Sequence, residues 1–89
     1  MEIEERRVDG NAAAGLLEEI FPFEMTMAQI HCAGCAAVEP VGAEMVYMDA
    51  PGMVMRCVHC ESVLLTIVHG EGRYWLEMRG VTWLQMAAS

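Results

Sequence analysis

Four cysteines in two Cys-x-x-Cys pairs constrain this chain more than any other feature. They are Cys32-Ala33-Gly34-Cys35 and Cys57-Val58-His59-Cys60, and the chain holds no others. Two residues between the cysteines of a pair let the backbone turn tightly enough for both sulfurs to reach one ion at about 2.3 Å. Residues 36–56 lie between the pairs, room for a hairpin that returns the second pair to the first. The spacing predicts one tetrahedral ion held by Cys32, Cys35, Cys57 and Cys60. Zn²⁺ is the expected metal; an iron site of rubredoxin type uses the same four-sulfur geometry and stands as the alternative. A chain of 89 residues makes one domain with a thin core, which a metal commonly supplements.

The setting of the pairs favours a metal over redox chemistry. A thioredoxin-like dithiol needs a strand-to-helix context, and the residues after both pairs read as extended. The N-terminal Met1-Glu2-Ile3-Glu4-Glu5-Arg6-Arg7 is too charged for a signal peptide. No apolar run approaches the roughly 18 residues of a membrane span. A reducing cytoplasm is therefore expected, where metal binding outweighs disulfides.

Charge narrows the partners. The chain carries 13 acids, five arginines and no lysine, with a formal net charge of −8. Neutralising phosphates takes several cations, so nucleic acid is disfavoured. At the same time 55% of the residues are hydrophobic. That mix implies a dense core, an apolar surface for another protein or for a second copy, or both.

Along the chain, residues 1–8 read as a flexible lead-in and 9–89 as a single domain. Asp9 can cap a helix running through Ala12, Ala13, Ala14, Leu16 and Leu17 to a stop at Phe21-Pro22, with Leu16, Ile20, Ala12 and Ala13 as its apolar stripe. About six short strands follow. Phe23, Met25 and Met27 alternate with Glu24, Thr26 and Ala28 in the first. Residues 44–48 and 53–57 flank the turn Asp49-Ala50-Pro51-Gly52. Residues 63–69, 73–79 and 81–86 complete the set, separated by Gly70-Glu71-Gly72 and Gly80. Val63–Val68 is apolar on both faces and reads as central. Tyr74, Leu76 and Met78 share one face of their strand; Arg73, Trp75, Glu77 and Arg79 share the other. The fold class is mainly β with one short N-terminal helix, in zinc-ribbon-like antiparallel sheets.

Several residues near the cysteines need roles. His31 and His59 adjoin the pairs, but four sulfurs already complete a shell, so outer or solvent-facing positions are expected. His69 reads as a surface residue. Arg56 could offset the two negative charges that four thiolates leave around a dication. Zinc ribbons often place Gly directly after the second cysteine of each pair, where a positive φ relieves the turn; here those positions are Ala36 and Glu61. Gly34 is the one residue that could supply freedom inside the first loop.

Nothing reads as a catalytic site. Ser62 and Ser89 lie in no nucleophile elbow, and without lysine there is no phosphate-binding P-loop. Glu18-Glu19 reads as a solvated helix face. Four protein sulfurs leave no position for water on the ion, the mark of a structural metal. Nine methionines, most in expected strands, suit adaptable core filling, or a soft docking surface. Trp75 and Trp83 are candidate interface anchors.

The chain resembles an uncharacterised family of small bacterial proteins with a zinc-ribbon-like core. The resemblance spans roughly residues 8–86 and rests on Val8-Asp9-Gly10-Asn11-Ala12-Ala13-Ala14-Gly15, Cys32-Ala33-Gly34-Cys35, Asp49-Ala50-Pro51-Gly52 with Arg56-Cys57, and Trp75-Leu76-Glu77-Met78-Arg79-Gly80. Val58 departs from the Cys-Pro-x-Cys usual there in the second pair. The resemblance implies fold and metal; it transfers no activity. The expectation is a metal-stabilised protein-interaction module that is not an enzyme. A thiol redox switch releasing zinc on oxidation and a nucleic-acid-binding ribbon are the alternatives.

Overall fold

A computed structural model describes residues 7–9, 13–22, 24–49 and 52–87. Its described strands form two antiparallel sheets. The larger joins β1 (Arg7–Asp9), β4 (Met45–Asp49), β5 (Gly52–Arg56), β6 (Val63–Gly70) and β7 (Arg73–Glu77) in the order β1-β4-β5-β6-β7. The smaller joins β2 (Gln29–Cys32), β3 (Val38–Pro40) and β8 (Val81–Gln85) in the order β3-β2-β8. Among the described residues one α-helix, α1 (Ala14–Ile20), lies between β1 and β2. The chain is mainly β, as expected.

Register explains which residues make the core. Met48, Met53, Ile67 and Leu76 face one another across β4 to β7, and Val46, Met55 and Leu65 form the next row. These period-two positions share one face of the large sheet. Onto them pack Leu17 and Ala13 from the helix region, Met25 and Ala28 beyond it, Ile30 of β2, and Val41. Leu64 is buried as well, although its neighbour Leu65 already points inward. A bulge explains this: Met55 faces Leu65 while Arg56 faces Val63, so Leu64 is the extra residue. The expectation that Val63–Val68 lies inside the sheet holds, since β6 sits between β5 and β7.

Four boundaries differ from the sequence reading. The helix spans seven residues and starts at Ala14 with no side-chain cap; Asp9, read as its cap, pairs in β1 instead. Its buried stripe is Ala13 and Leu17, with Leu16 and Ile20 only partly covered. Residues 10–12, three of the seven in the Asp9–Gly15 block, lie outside the described residues, as do 1–6 of the lead-in; Arg7 and Val8 are strand. Of the strand expected at 23–29, Phe23 lies outside the described residues, and the rest is a 3-10 turn over Met25–Met27 followed by β2 from Gln29. Met27 there is 72% exposed, whereas Met25, Met45, Met53 and Met55 are buried. Methionine in this chain thus mostly fills core. Finally, β1 and β3 add to the six strands expected.

Candidate metal centre

Each cysteine pair forms the tip of a β-hairpin. The first connects β2 to β3, whose register ends at His31 facing Val38. The second connects β5 to β6, ending at Arg56 facing Val63. The two hairpins belong to different sheets, and their tips meet.

The tips mirror each other bond for bond. Cys32 N donates to Ala37 O and Ala36 N to Cys32 O, each at 2.9 Å. In the second, Cys57 N donates to Ser62 O and Glu61 N to Cys57 O, again at 2.9 Å. Gly34 N and His59 N donate to Cys32 Sγ and Cys57 Sγ, both at 3.3 Å. Ala36 and Glu61 both have φ 67°. These are the two positions where glycine was expected on geometric grounds. The left-handed turn forms without it, at a cost of about 1–2 kcal/mol per residue. Gly34 matters for space instead. A Cβ there would stand 3.0 Å from Ser62 Oγ and 3.6 Å from Cys60 Sγ, so its bareness lets the tips approach.

All four sulfurs lie within 4.8 Å of one another. Cys32–Cys60 and Cys35–Cys57 are each 3.7 Å apart. A tetrahedral ion with metal–sulfur bonds of about 2.3 Å sets sulfur–sulfur edges of about 3.8 Å. The cluster therefore could hold one metal ion with little movement. Cys32 and Cys57 are buried, Cys35 and Cys60 exposed.

Ionisation of the crowded thiols is uneven. An N–H from Ala37 favours the Cys35 thiolate, yet Cys35 is pushed up to about 12. Desolvation raises it against that N–H, and the neighbouring Cys57, Cys60 and Cys32 sulfurs add to the rise. Burial raises Cys57. Cys60 falls to about 6, drawn down by the Ser62 hydroxyl and the Ser62 N–H. Four acids this close resist sharing negative charge until a cation joins them.

The second tip is braced by three side chains. Glu44, 2% exposed, reaches from the start of β4 so that its Oε1 accepts from Val58 N at 2.9 Å. Burial raises the Glu44 carboxyl, against the opposing pull of that N–H. His59 Nε2 meets Glu39 Oε2 at 2.6 Å. Arg56 Nη1 donates to Glu61 O at 2.9 Å, with its guanidinium 5.8 Å from the Tyr47 ring centre. Arg56 thus serves the backbone of the tip instead of facing the sulfurs. His31 packs against Trp83 with ring centres 5.1 Å apart and planes tilted by 33°, and its Nδ1 is buried without a partner. His69 is exposed and stacks on Tyr74. No histidine joins the sulfur cluster. Of the exposed acids, Glu19 accepts from Tyr74 OH at 2.6 Å.

Gly80 couples the tips. Its N–H donates to Leu64 O at 3.1 Å, and its carbonyl accepts from Ala33 N at 2.9 Å. One residue thereby ties the root of the second hairpin to the inside of the first. Sequence reading placed Gly80 only as a turn, and it missed Glu44 and Glu39. Nothing in their spacing separates them from surface acids.

The fold and cluster define a small two-sheet β domain with a four-cysteine site able to hold a metal. The chain belongs to DUF6510, a family of unknown function, whose profile matches residues 4–89. That the family is uncharacterised matches the expectation. No curated protein and no solved structure matches the chain. No described helix is long and apolar enough to cross a membrane.

Proposed function

We propose that this chain is a protein-interaction module whose fold is fixed by one structural Zn²⁺ on Cys32, Cys35, Cys57 and Cys60. The observation that carries this reading is the mirrored pair of tips, with sulfur spacings near those of a tetrahedral ion and an N–H aimed at one sulfur of each. Four sulfurs fill the shell, leaving no open position for substrate, and so support a non-catalytic role. Reduced thiols of this kind belong to a cytoplasmic protein. Exposed Trp75, Leu76 and Trp83 give such a module apolar contacts. Native mass spectrometry before and after a chelator tests the metal: one zinc per chain, with unfolding on its removal, is expected. A metal-free protein of unchanged stability would refute it, and a mass matching iron would correct the metal.

The exposure of Cys35 and Cys60 favours one further reading, a peroxide-sensitive switch. Two thiolates, one H₂O₂ and two protons would yield a disulfide and two waters, ejecting the ion. Zinc release at micromolar peroxide would support it; inert thiols would end it.

A further inference from the structure

Strand β7 is the last strand of the large sheet, with no neighbour beyond it among the described residues. We infer that β7 pairs antiparallel with β7 of a second copy, centred on Trp75, to make a symmetric dimer with one continuous sheet. This deepens the interaction-module reading by naming the partner, and it does not depend on the metal.

The backbone sets the register. Glu71 and Gly72 have φ 54° and 76°, the two positive values of a two-residue type I′ hairpin. Gly70 and Arg73, which face each other across that turn, then form a hydrogen-bonded pair. Alternation directs the N–H and C=O groups of Arg73, Trp75 and Glu77 toward β6. Those of Tyr74 and Leu76 point outward, unpaired by any other described strand. An exposed row of this kind is a template for another strand.

The side chains complement a copy of themselves. The strand reads Arg73-Tyr74-Trp75-Leu76-Glu77. About a twofold axis at Trp75, Arg73 faces the second copy's Glu77, Tyr74 faces Leu76, and Trp75 faces Trp75. Opposite charges and apolar pairs both match, which a symmetric interface requires. Tyr74 and Leu76 would exchange the four outward backbone hydrogen bonds. Trp75 is 49% exposed and Leu76 39%, and Val68, paired with Trp75 on β6, is 38% exposed. Pairing would cover Trp75 and Leu76. Glu77 already accepts from Arg79 N and Nε. The Arg79 side chain is 90% exposed, so that pair is weak enough to share or yield.

Charge exchange tests the register directly. Sedimentation equilibrium from micromolar to sub-millimolar concentration is run on the full chain and on Arg73→Glu, Glu77→Arg and the double variant. Wild type should dimerise. Each single variant sets like charges opposite each other twice and should weaken the dimer at least about tenfold. The double variant should recover it, and a mixture of the two single variants should form a heterodimer, since one then offers two acids and the other two arginines. Heterodimer formation also shows that both variants fold. A wild type monomeric throughout, a dimer indifferent to the single changes, or a double variant no better than the singles would each overturn the proposal. Zinc content on the same samples separates its failure from failure of the metal reading.

Discussion

Gly80→Ala should damage this protein far more than its place in a surface turn suggests. An added Cβ would lie 1.9 Å from Val63 O and 2.8 Å from both Val63 C and Leu64 Cα. All three are backbone atoms at the β6 bulge, so no rotamer change relieves the clash. The turn must withdraw, and withdrawal breaks the hydrogen bonds from Gly80 N to Leu64 O and from Ala33 N to Gly80 O. At about 1–3 kcal/mol for each partner left unsatisfied, the loss is roughly 2–6 kcal/mol. A domain stable by about 5–15 kcal/mol would lose a large part of that. Urea unfolding of the metal-replete protein measures it. Chelator competition gives a second readout, because Ala33 lies inside the first cysteine tip and metal affinity should fall with it. Gly15→Ala is the control: its Cβ meets nothing within 4 Å, and a helical Gly-to-Ala change should stabilise by about 0.5–1 kcal/mol. If Gly80→Ala unfolds within about 0.5 kcal/mol of wild type, as ordinary surface changes do, the coupling role assigned to Gly80 is wrong.

Other changes probe the same frame. Ala36→Gly and Glu61→Gly should each stabilise the fold, by up to about 1 kcal/mol, and so raise the urea midpoint, because glycine takes the left-handed turn without strain; a lower midpoint would deny that these turns are strained. Glu44→Ala strands the Val58 N–H and should cost about 1–3 kcal/mol, whereas Glu44→Gln keeps an acceptor. Burial raises the Glu44 carboxyl, so the native state takes up its proton more readily than the unfolded chain. The resulting stabilisation is complete below the ordinary carboxylate range and fades as pH climbs through the raised value. Relative to wild type, Glu44→Gln should therefore gain stability with rising pH across that window, and parallel pH profiles would contradict it. His59→Ala removes an exposed contact to Glu39 and should cost under about 1 kcal/mol with metal content unchanged; loss of the metal would make His59 a ligand after all.

The cysteine chemistry was legible because two-residue spacing nearly dictates the local turn, whatever residues fill it. Ala36 and Glu61 bear this out: both adopt φ 67° although neither is the favoured glycine, so closure of the tip overrides local preference. Alternation served well at β7, where Tyr74 and Leu76 share the face that continues the core rows. It misled at Met25–Met27, where three apolar residues two apart mimic a strand but no partner strand runs alongside. β3 escaped notice because three residues show no period. Glu44 was illegible for a different reason. Its meaning comes from a backbone N–H at Val58, 14 residues on, brought near only by the fold.

Each hairpin tip contributes one covered and one open sulfur, Cys32 and Cys57 on the covered side, Cys35 and Cys60 on the open side. An ion held among them would be lopsided in its kinetics. Competing thiols or chelators can reach only the open side, so ligand exchange would begin at Cys35 and Cys60 while Cys32 and Cys57 still hold on. Metal could then leave to an acceptor through a half-released intermediate, with unfolding following release instead of preceding it. Its lifetime on the protein would answer to acceptor concentration as well as to equilibrium affinity.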